Sequence, residues 1–253
     1  MKKPSNSPLK STWRLQPKKL ETVWDIIGKK RDFDWDIGNI DKIKHILDEK
    51  KLNELVKISD SSKKNRYLRE IISPLFLNLD MDIKRQLVRW IVFDWGRIIR
   101  GIDDAVDWVD EIRTFNEDNI KQYIINNKTR RISSWSKVLA FYNPNKHAIY
   151  DSRVAIALNV ALLQIKSPTL FYMPQSRSKE TNNLASHIKK QKILKRTGTT
   201  WDYFEYIEFL NVSVEHKIIK DLLDGEMRIF ANSKKMMINY NIENNLGLNI
   251  TDN

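Results

Sequence analysis

The sequence predicts an all-α protein built as a helical bundle. Three observations carry that expectation. Gly and Pro number seven each in 253 residues, which favours long regular elements over tight turns. Apolar residues recur three and four positions apart along most of the chain. No two alternating apolar runs flank a hairpin dipeptide, so no strand pair is expected.

The elements follow in order. Residues 1–12 read as a basic flexible arm. Ile40, Ile43, Ile46 and Leu47, then Leu52, Leu55 and Val56, mark one or two amphipathic helices. The pattern from Arg66 to Leu77 is interrupted by Pro74, whose missing N–H and bulky ring end or kink a helix. From Asp82 to Arg100, Leu87, Trp90, Ile91, Trp95 and Ile98 share a face that Val88, Val92 and Ile99 widen, and Gly101 is placed to stop the helix. Further helices are predicted at about 103–113, 117–127, 133–142, 151–165, 180–195 and 201–224. Trp201, Phe204, Ile207, Phe209 and Leu210 supply the apolar side of the last one. Residues 233–253 are Asn-rich and read as a peripheral tail. Composition turns from mixed-charge to basic near Asn116. This divides the helices into one subdomain over 13–116 and a second over 117–232, whose terminal helices are expected to pack back on the first.

The absence of cysteine excludes a disulfide framework, a thiolate zinc site and a cysteine-held iron–sulfur cluster. The longest near-apolar run, Val154 to Ile165, contains Asn159 and is too short to span a bilayer. The opening residues MKKPSNSPLK have charge but no apolar stretch behind them, so no secretory signal is read and a cytoplasmic, nucleoid-associated protein is expected. The net charge of +12 is not spread evenly. Between residues 121 and 200 fifteen Lys and Arg face only Asp151 and Glu180, a net +13, and the rest of the chain carries −1. One basic segment on a neutral protein implies a polyanionic partner, because neutralising phosphates releases counterions. Double-stranded DNA is the expected partner. A solvated charged face is the alternative for short runs such as Lys189 and Lys190.

The stretch from Lys128 to Leu158, KTRRISSWSKVLAFYNPNKHAIYDSRVAIAL, lies inside that segment. Two helices, about 117–127 and 133–142, are joined by a short turn rich in Lys, Arg and Ser, and Ser133 or Ser134 is placed to cap the second. The free N–H groups at such a helix start favour a phosphate. After a loop containing Asn143-Pro144-Asn145, Asp151 stands at the N-cap of a helix apolar nearly all round. Capping alone accounts for an aspartate there; a carboxylate among cations at the mouth of a buried helix also faces a cleft. Lys137 lies fourteen residues earlier. A partly desolvated lysine near other cations offers a neutral amine for attack, whereas an ordinary one contacts phosphate.

The order hairpin, lysine, proline-containing loop, aspartate resembles the helix-hairpin-helix DNA glycosylase superfamily, and within it the 8-oxoguanine DNA glycosylase-like branch. The resemblance covers about residues 117–165 and is strongest over SSWSKVLAFYNPNKHAIYDSRVA. It implies a helix-hairpin-helix element at the cleft between the subdomains. It also implies that Lys137 attacks the sugar C1′, expelling the base through a Schiff base that can lead to strand cleavage. Asp151 is implied to stabilise positive charge on the sugar and assist proton transfer. Two departures stand out: the residues before the lysine, Arg131 to Ser136, contain no glycine, and the interval from lysine to aspartate is short.

Breaking an N-glycosidic bond develops oxocarbenium character, which a fixed carboxylate opposes, and reaching the bond requires extruding the nucleotide. Lys128, Arg130, Arg131, Ser133, Ser134, His147 and Arg153 are the expected DNA contacts, and Asp94, Trp135, Phe141 and Trp201 the expected base pocket. His45, His187 and His216 show no ligand spacing, so no metal is expected, and no organic cofactor. The expected activity is excision of an oxidised purine, or of a hypermodified base in invading viral DNA. A DNA-binding protein without catalysis is the alternative. A nuclease set of Asp202, Glu215 and Lys217 is a weaker one, because its context reads as helix.

Overall fold

A computed structural model describes residues 16–29, 33–98, 116–126, 131–191 and 200–250. The fold is all-α. The arm over 1–12, the helix predicted at about 103–113, Gly101, Lys128 and Arg130 lie outside the described residues.

Aspartate decides where most helices begin. Asp48, Asp60, Asp80, Asp151, Asp202 and Asp221 each accept a hydrogen bond from an N–H two or three residues on, meeting donors that the first turn leaves unpaired. The first half comprises α1 (Pro17–Ile27), α2 (Glu49–Lys57), α3 (Ser61–Ile72), the short α4 (Leu75–Asn78) and α5 (Met81–Arg89). The sequence reading misses α1, although Leu20, Val23, Trp24 and Ile27 follow helical spacing behind Pro17. Ile40–Lys42 and Lys44–Ile46 form two single 3-10 turns in place of a regular helix, because the chain turns extended at Leu47 before Asp48 caps α2. Pro74 separates α3 from α4 as predicted.

The α5 helix widens into a π-helical turn over Trp90–Trp95 and ends at Gly96, five residues before the predicted stop. A Cβ on Gly96 would stand 2.8 Å from the carbonyl oxygens of Ile91 and Val92 and 2.8 Å from Lys137 Cδ, so only glycine allows this close approach.

The second half comprises α6 (Glu117–Asn126), α7 (Ile132–Tyr142), α8 (Ser152–Gln164), α9 (Lys179–Lys190), α10 (Tyr203–Glu215) and α11 (Leu222–Glu243). Leu170–Phe171 (β1) and Thr200–Trp201 (β2) make one short parallel pair that the sequence does not signal. The single helix predicted over 201–224 is broken, because Lys217 takes a left-handed backbone and Asp221 opens α11. Residues 233–243 are the last turns of α11 rather than a tail. Their Asn content is carried on the outer face while Met236, Met237 and Tyr240 are buried at helical spacing.

The α8 helix is buried from Val154 to Leu162 and packs most extensively on α11, with α1 and α9 alongside. Buried side chains from Leu20 to Tyr240 join one core. Polar clamps cross it: Trp24 Nε1 donates to Ser213 Oγ (2.8 Å), and Arg66 meets Asp221 through both guanidinium nitrogens (2.8 and 3.0 Å).

The α10 start is a capping box, in which Asp202 Oδ1 accepts from Phe204 N and Glu205 Oε2 from Asp202 N. Burial, and then the Asp202 carboxyl beside it, push the Glu205 carboxyl up to about 7 from 4.5. The folded state therefore keeps a proton that the unfolded state releases, and the stabilisation, full below pH 4.5, is lost as pH rises through about 7. Glu205→Gln is expected to gain on the parent between pH 5 and 8, by about 1 kcal/mol after allowance for its half-exposed position. Urea unfolding at the two pH values measures it; an equal difference at both contradicts the assignment.

Candidate functional site

The site is set by α7 and by the loop that leads into α8. Arg131 stands at the α7 N-cap with a left-handed backbone (φ 60°), and its carbonyl accepts from Ser134 N (2.9 Å) and Trp135 N (3.2 Å). Neither serine caps the helix, since it begins at Ile132 and both lie inside its first turn. Ser134 is buried and so is not placed to touch DNA, whereas Ser133 is half-buried.

Lys137 follows one turn later with its side chain 6% exposed. Its stem passes Gly96, and its Nζ donates to the Ser133 carbonyl (3.1 Å) and lies 3.8 Å from Asp151 Oδ2. The second distance is a charge contact rather than a hydrogen bond. Burial pushes the Lys137 ammonium below the ordinary lysine range, the Asp151 carboxylate opposes that, and Arg153 reinforces it.

Asp151 is held by what precedes it. Ser136 Oγ accepts from Tyr150 N (2.9 Å) and donates to Tyr150 O (3.2 Å), which staples the end of the loop to α7 beside Lys137. Ile149 N donates to Glu226 Oε2 (2.7 Å), and Glu226 receives both terminal nitrogens of Arg69 (2.6 and 3.0 Å) with both side chains buried. Asp151 Oδ1 accepts from Arg153 N (3.0 Å) and Val154 N (3.1 Å), so the other oxygen, Oδ2, is the one nearest the amine. The Asp151 side chain is 18% exposed, so the pair meets solvent on the carboxylate side.

Trp35 and Phe230 form an edge-on pair, 5.2 Å between centroids, which the side chain of Arg153 reaches. Ser61 and Asn65 bind the Trp35 backbone, and its Nε1 donates to Trp95 O (3.0 Å). Arg97, next after Gly96, lies over Trp35, and Arg153, two residues beyond Asp151, lies over both rings. Arg177 is a further cation in the electrostatic surroundings of Lys137.

Other expected residues sit elsewhere. Phe141 is fully buried against Trp90, Trp95 and Arg69, and Trp135 against Tyr123, so both belong to the core rather than to a receiving surface. Asp94 pairs with Lys42 (2.6 Å) on a separate cavity of about 390 Å³ that Trp90 and Phe93 help to line. His147 is buried between Tyr203 Oη and Glu117 Oε2, 3.1 Å from each, so it ties the loop to α6 and α10 and is not the exposed contact residue expected from the sequence. The imidazole contact holds the Glu117 carboxyl below its usual range. The Trp201 side chain lies outside the described residues. Asp202 and Glu215 stand at opposite ends of α10, about 20 Å apart by helical rise, so the nuclease set does not converge. Among the described residues no three His, Asp or Glu side chains converge as a metal requires, and no helix is long and apolar enough to cross a membrane.

Sequence reasoning misses Trp35, Arg97, Phe230 and Glu226. A signal existed for the first: Phe33, Trp35 and Ile37 alternate with Asp34 and Asp36, the mark of an extended segment with one apolar side. Glu226 lies among Leu222, Leu223, Met227 and Ile229, a carboxylate on the apolar face of a helix. Comparison with known protein families, curated proteins and solved structures finds no match to this chain.

Proposed function

We propose that this chain is a DNA glycosylase that removes a damaged or modified base through Lys137 and Asp151. One observation carries the reading: a buried amine with a lowered proton affinity lies 3.8 Å from a carboxylate oxygen that the helix cap leaves free, on a side chain still 18% exposed. The basic segment of the sequence supplies the attraction for DNA.

The chemistry follows from the groups. The neutral Lys137 amine donates its electron pair to C1′ as the C1′–N bond to the base breaks, and the bonding electrons leave with the base. Asp151 Oδ2 offsets the positive charge on the sugar and passes the ammonium proton toward the departing base. The nitrogen lone pair then forms C1′=N as the C1′–O4′ bond breaks, O4′ takes the remaining nitrogen proton, and water hydrolyses the imine to the abasic sugar and free amine.

A second reading has a specific support. Lys137 Nζ also donates to the Ser133 carbonyl, and Asp151 Oδ1 caps α8, so both side chains serve the fold as well. On that reading the basic surface binds DNA without chemistry. Incubating the protein with duplexes holding single oxidised purines, and with glucosylated phage-type DNA, then heating in alkali, decides between them. Strand breaks at the modified base are expected. Binding with no abasic product from any of these DNAs would overturn the enzyme reading.

A further inference from the structure

Neither Lys137 nor Asp151 lines the cavity of about 390 Å³ beside Asp94. Its volume falls within the range usual for small-ligand pockets, about 300–1,000 Å³. One side is a stripe of α5 and its widened turn, along which Gln86, Arg89, Trp90, Phe93 and Asp94 recur three and four residues apart. The other side is the 3-10 turn Ile40–Lys42 with Ile43 after it. Gly38 permits the two to meet: its φ is +71°, and a Cβ there would stand 2.8 Å from the Asp94 carbonyl oxygen. Trp90 Nε1 secures the contact by donating to Asn39 O (2.8 Å).

We propose that this cavity binds a guanine-type ring, stacked on Phe93 with its edge read by the Lys42–Asp94 pair. The first support is the order of hydrogen-bonding groups. Lys42 Nζ donates to Asp94 Oδ1 (2.6 Å), and Oδ2 has no partner among the described residues. The pair therefore presents a donor and then two acceptors, and the ammonium and both carboxylate oxygens keep capacity beyond the bond they share. Guanine presents the complement, a carbonyl oxygen at O6 followed by N–H donors at N1 and N2. Adenine and cytosine set an amino group against Nζ, and uracil or thymine sets a carbonyl against Oδ2. Each leaves like facing like beside a carboxylate that is only 12% exposed, and is rejected.

The second support is the wall. Ile43 and Trp90 are buried there, while the Phe93 ring stays 39% exposed with Lys42 Nζ 5.6 Å from its centre. A flat ring is selected by such a face, because every base offers a π-surface to stack on it. The π-helical turn that carries Phe93 and Asp94 is a form frequent at functional sites. The proposal is independent of the glycosylase reading, and either stands if the other fails.

Calorimetric titration of the full chain with guanosine, inosine and adenosine monophosphates tests it. All three carry the same phosphate, so the attraction of a basic protein for anions cancels in their ratios. Guanosine monophosphate is expected to bind about tenfold or more tighter than adenosine monophosphate, with inosine, which lacks the 2-amino group, between them. Asp94→Asn keeps the side-chain size and turns one acceptor into a donor, and is expected to bring guanosine within about threefold of adenosine. Phe93→Ala, a change at a part-exposed ring, is expected to weaken all three by about fivefold or more. Free nucleotide and nucleic acid are two sources of this ring. Displacement by a strand with one deoxyguanosine among thymidines, and not by the all-thymidine strand, assigns the site to nucleic acid; displacement by neither assigns it to the free nucleotide. Equal affinity for the three nucleotides overturns the proposal, as does binding to none of them or a guanosine preference that survives Asp94→Asn.

Discussion

Replacing Lys137 by alanine is expected to remove covalent trapping entirely and to slow base release by about a thousandfold or more, because among the described residues Lys137 is the lysine that pairs with Asp151. Asp151→Asn is the companion variant. Asparagine keeps the oxygen that accepts from Arg153 N and Val154 N, so α8 retains its cap and the protein its fold. What it loses is the negative oxygen facing the amine, and release is expected to drop by about a hundredfold with DNA binding preserved. The pH profile follows from burial of the lysine. The amine attacks only when neutral, so the rate rises with pH and levels off below the ordinary lysine range. A rate still climbing where free lysine titrates would contradict a buried nucleophile.

The other large effect concerns stability. Glu226→Ala leaves the fully buried Arg69 guanidinium without its carboxylate and Ile149 N without its acceptor. Breaking such a pair from one side is expected to cost about 3–5 kcal/mol, read as a shift of the urea midpoint at constant slope. Arg69→Met is expected to cost a similar amount, since it strands the carboxylate instead. The double variant Arg69→Met, Glu226→Leu should recover much of the loss, because two apolar side chains need no partners in the same space. A single variant as stable as the parent would mean that the pair is not the clamp between α3, α11 and the loop leading to Asp151.

Contacts between neighbours in sequence are legible in the chain and distant convergence is not. Asp151 could be placed because an acid before an apolar run is a cap whatever else it does. Lys137 could be named because hairpin, loop and cap succeed one another within a few turns. Glu226 and Arg69 are 157 residues apart, and each alone reads as a surface charge. Trp35 and Phe230 are similarly separated, and nothing in either neighbourhood announces the other. The loop position of His147 suggests exposure, whereas its two ring nitrogens meet Tyr203 and Glu117 and the ring is buried. The length of α11 is hidden because the Asn-rich composition of 233–253 masks the helical spacing of Met236, Met237 and Tyr240.

The account stands on Lys137 reaching the sugar from beside Asp151. Borohydride reduction during turnover, followed by digestion and mass mapping of the protein–DNA adduct, measures this most directly. A single secondary-amine link from Lys137 Nζ to the sugar C1′, lost in Lys137→Ala, is the predicted result. An adduct on another lysine, or base release that survives both Lys137→Ala and Asp151→Asn at the parent rate, would contradict it.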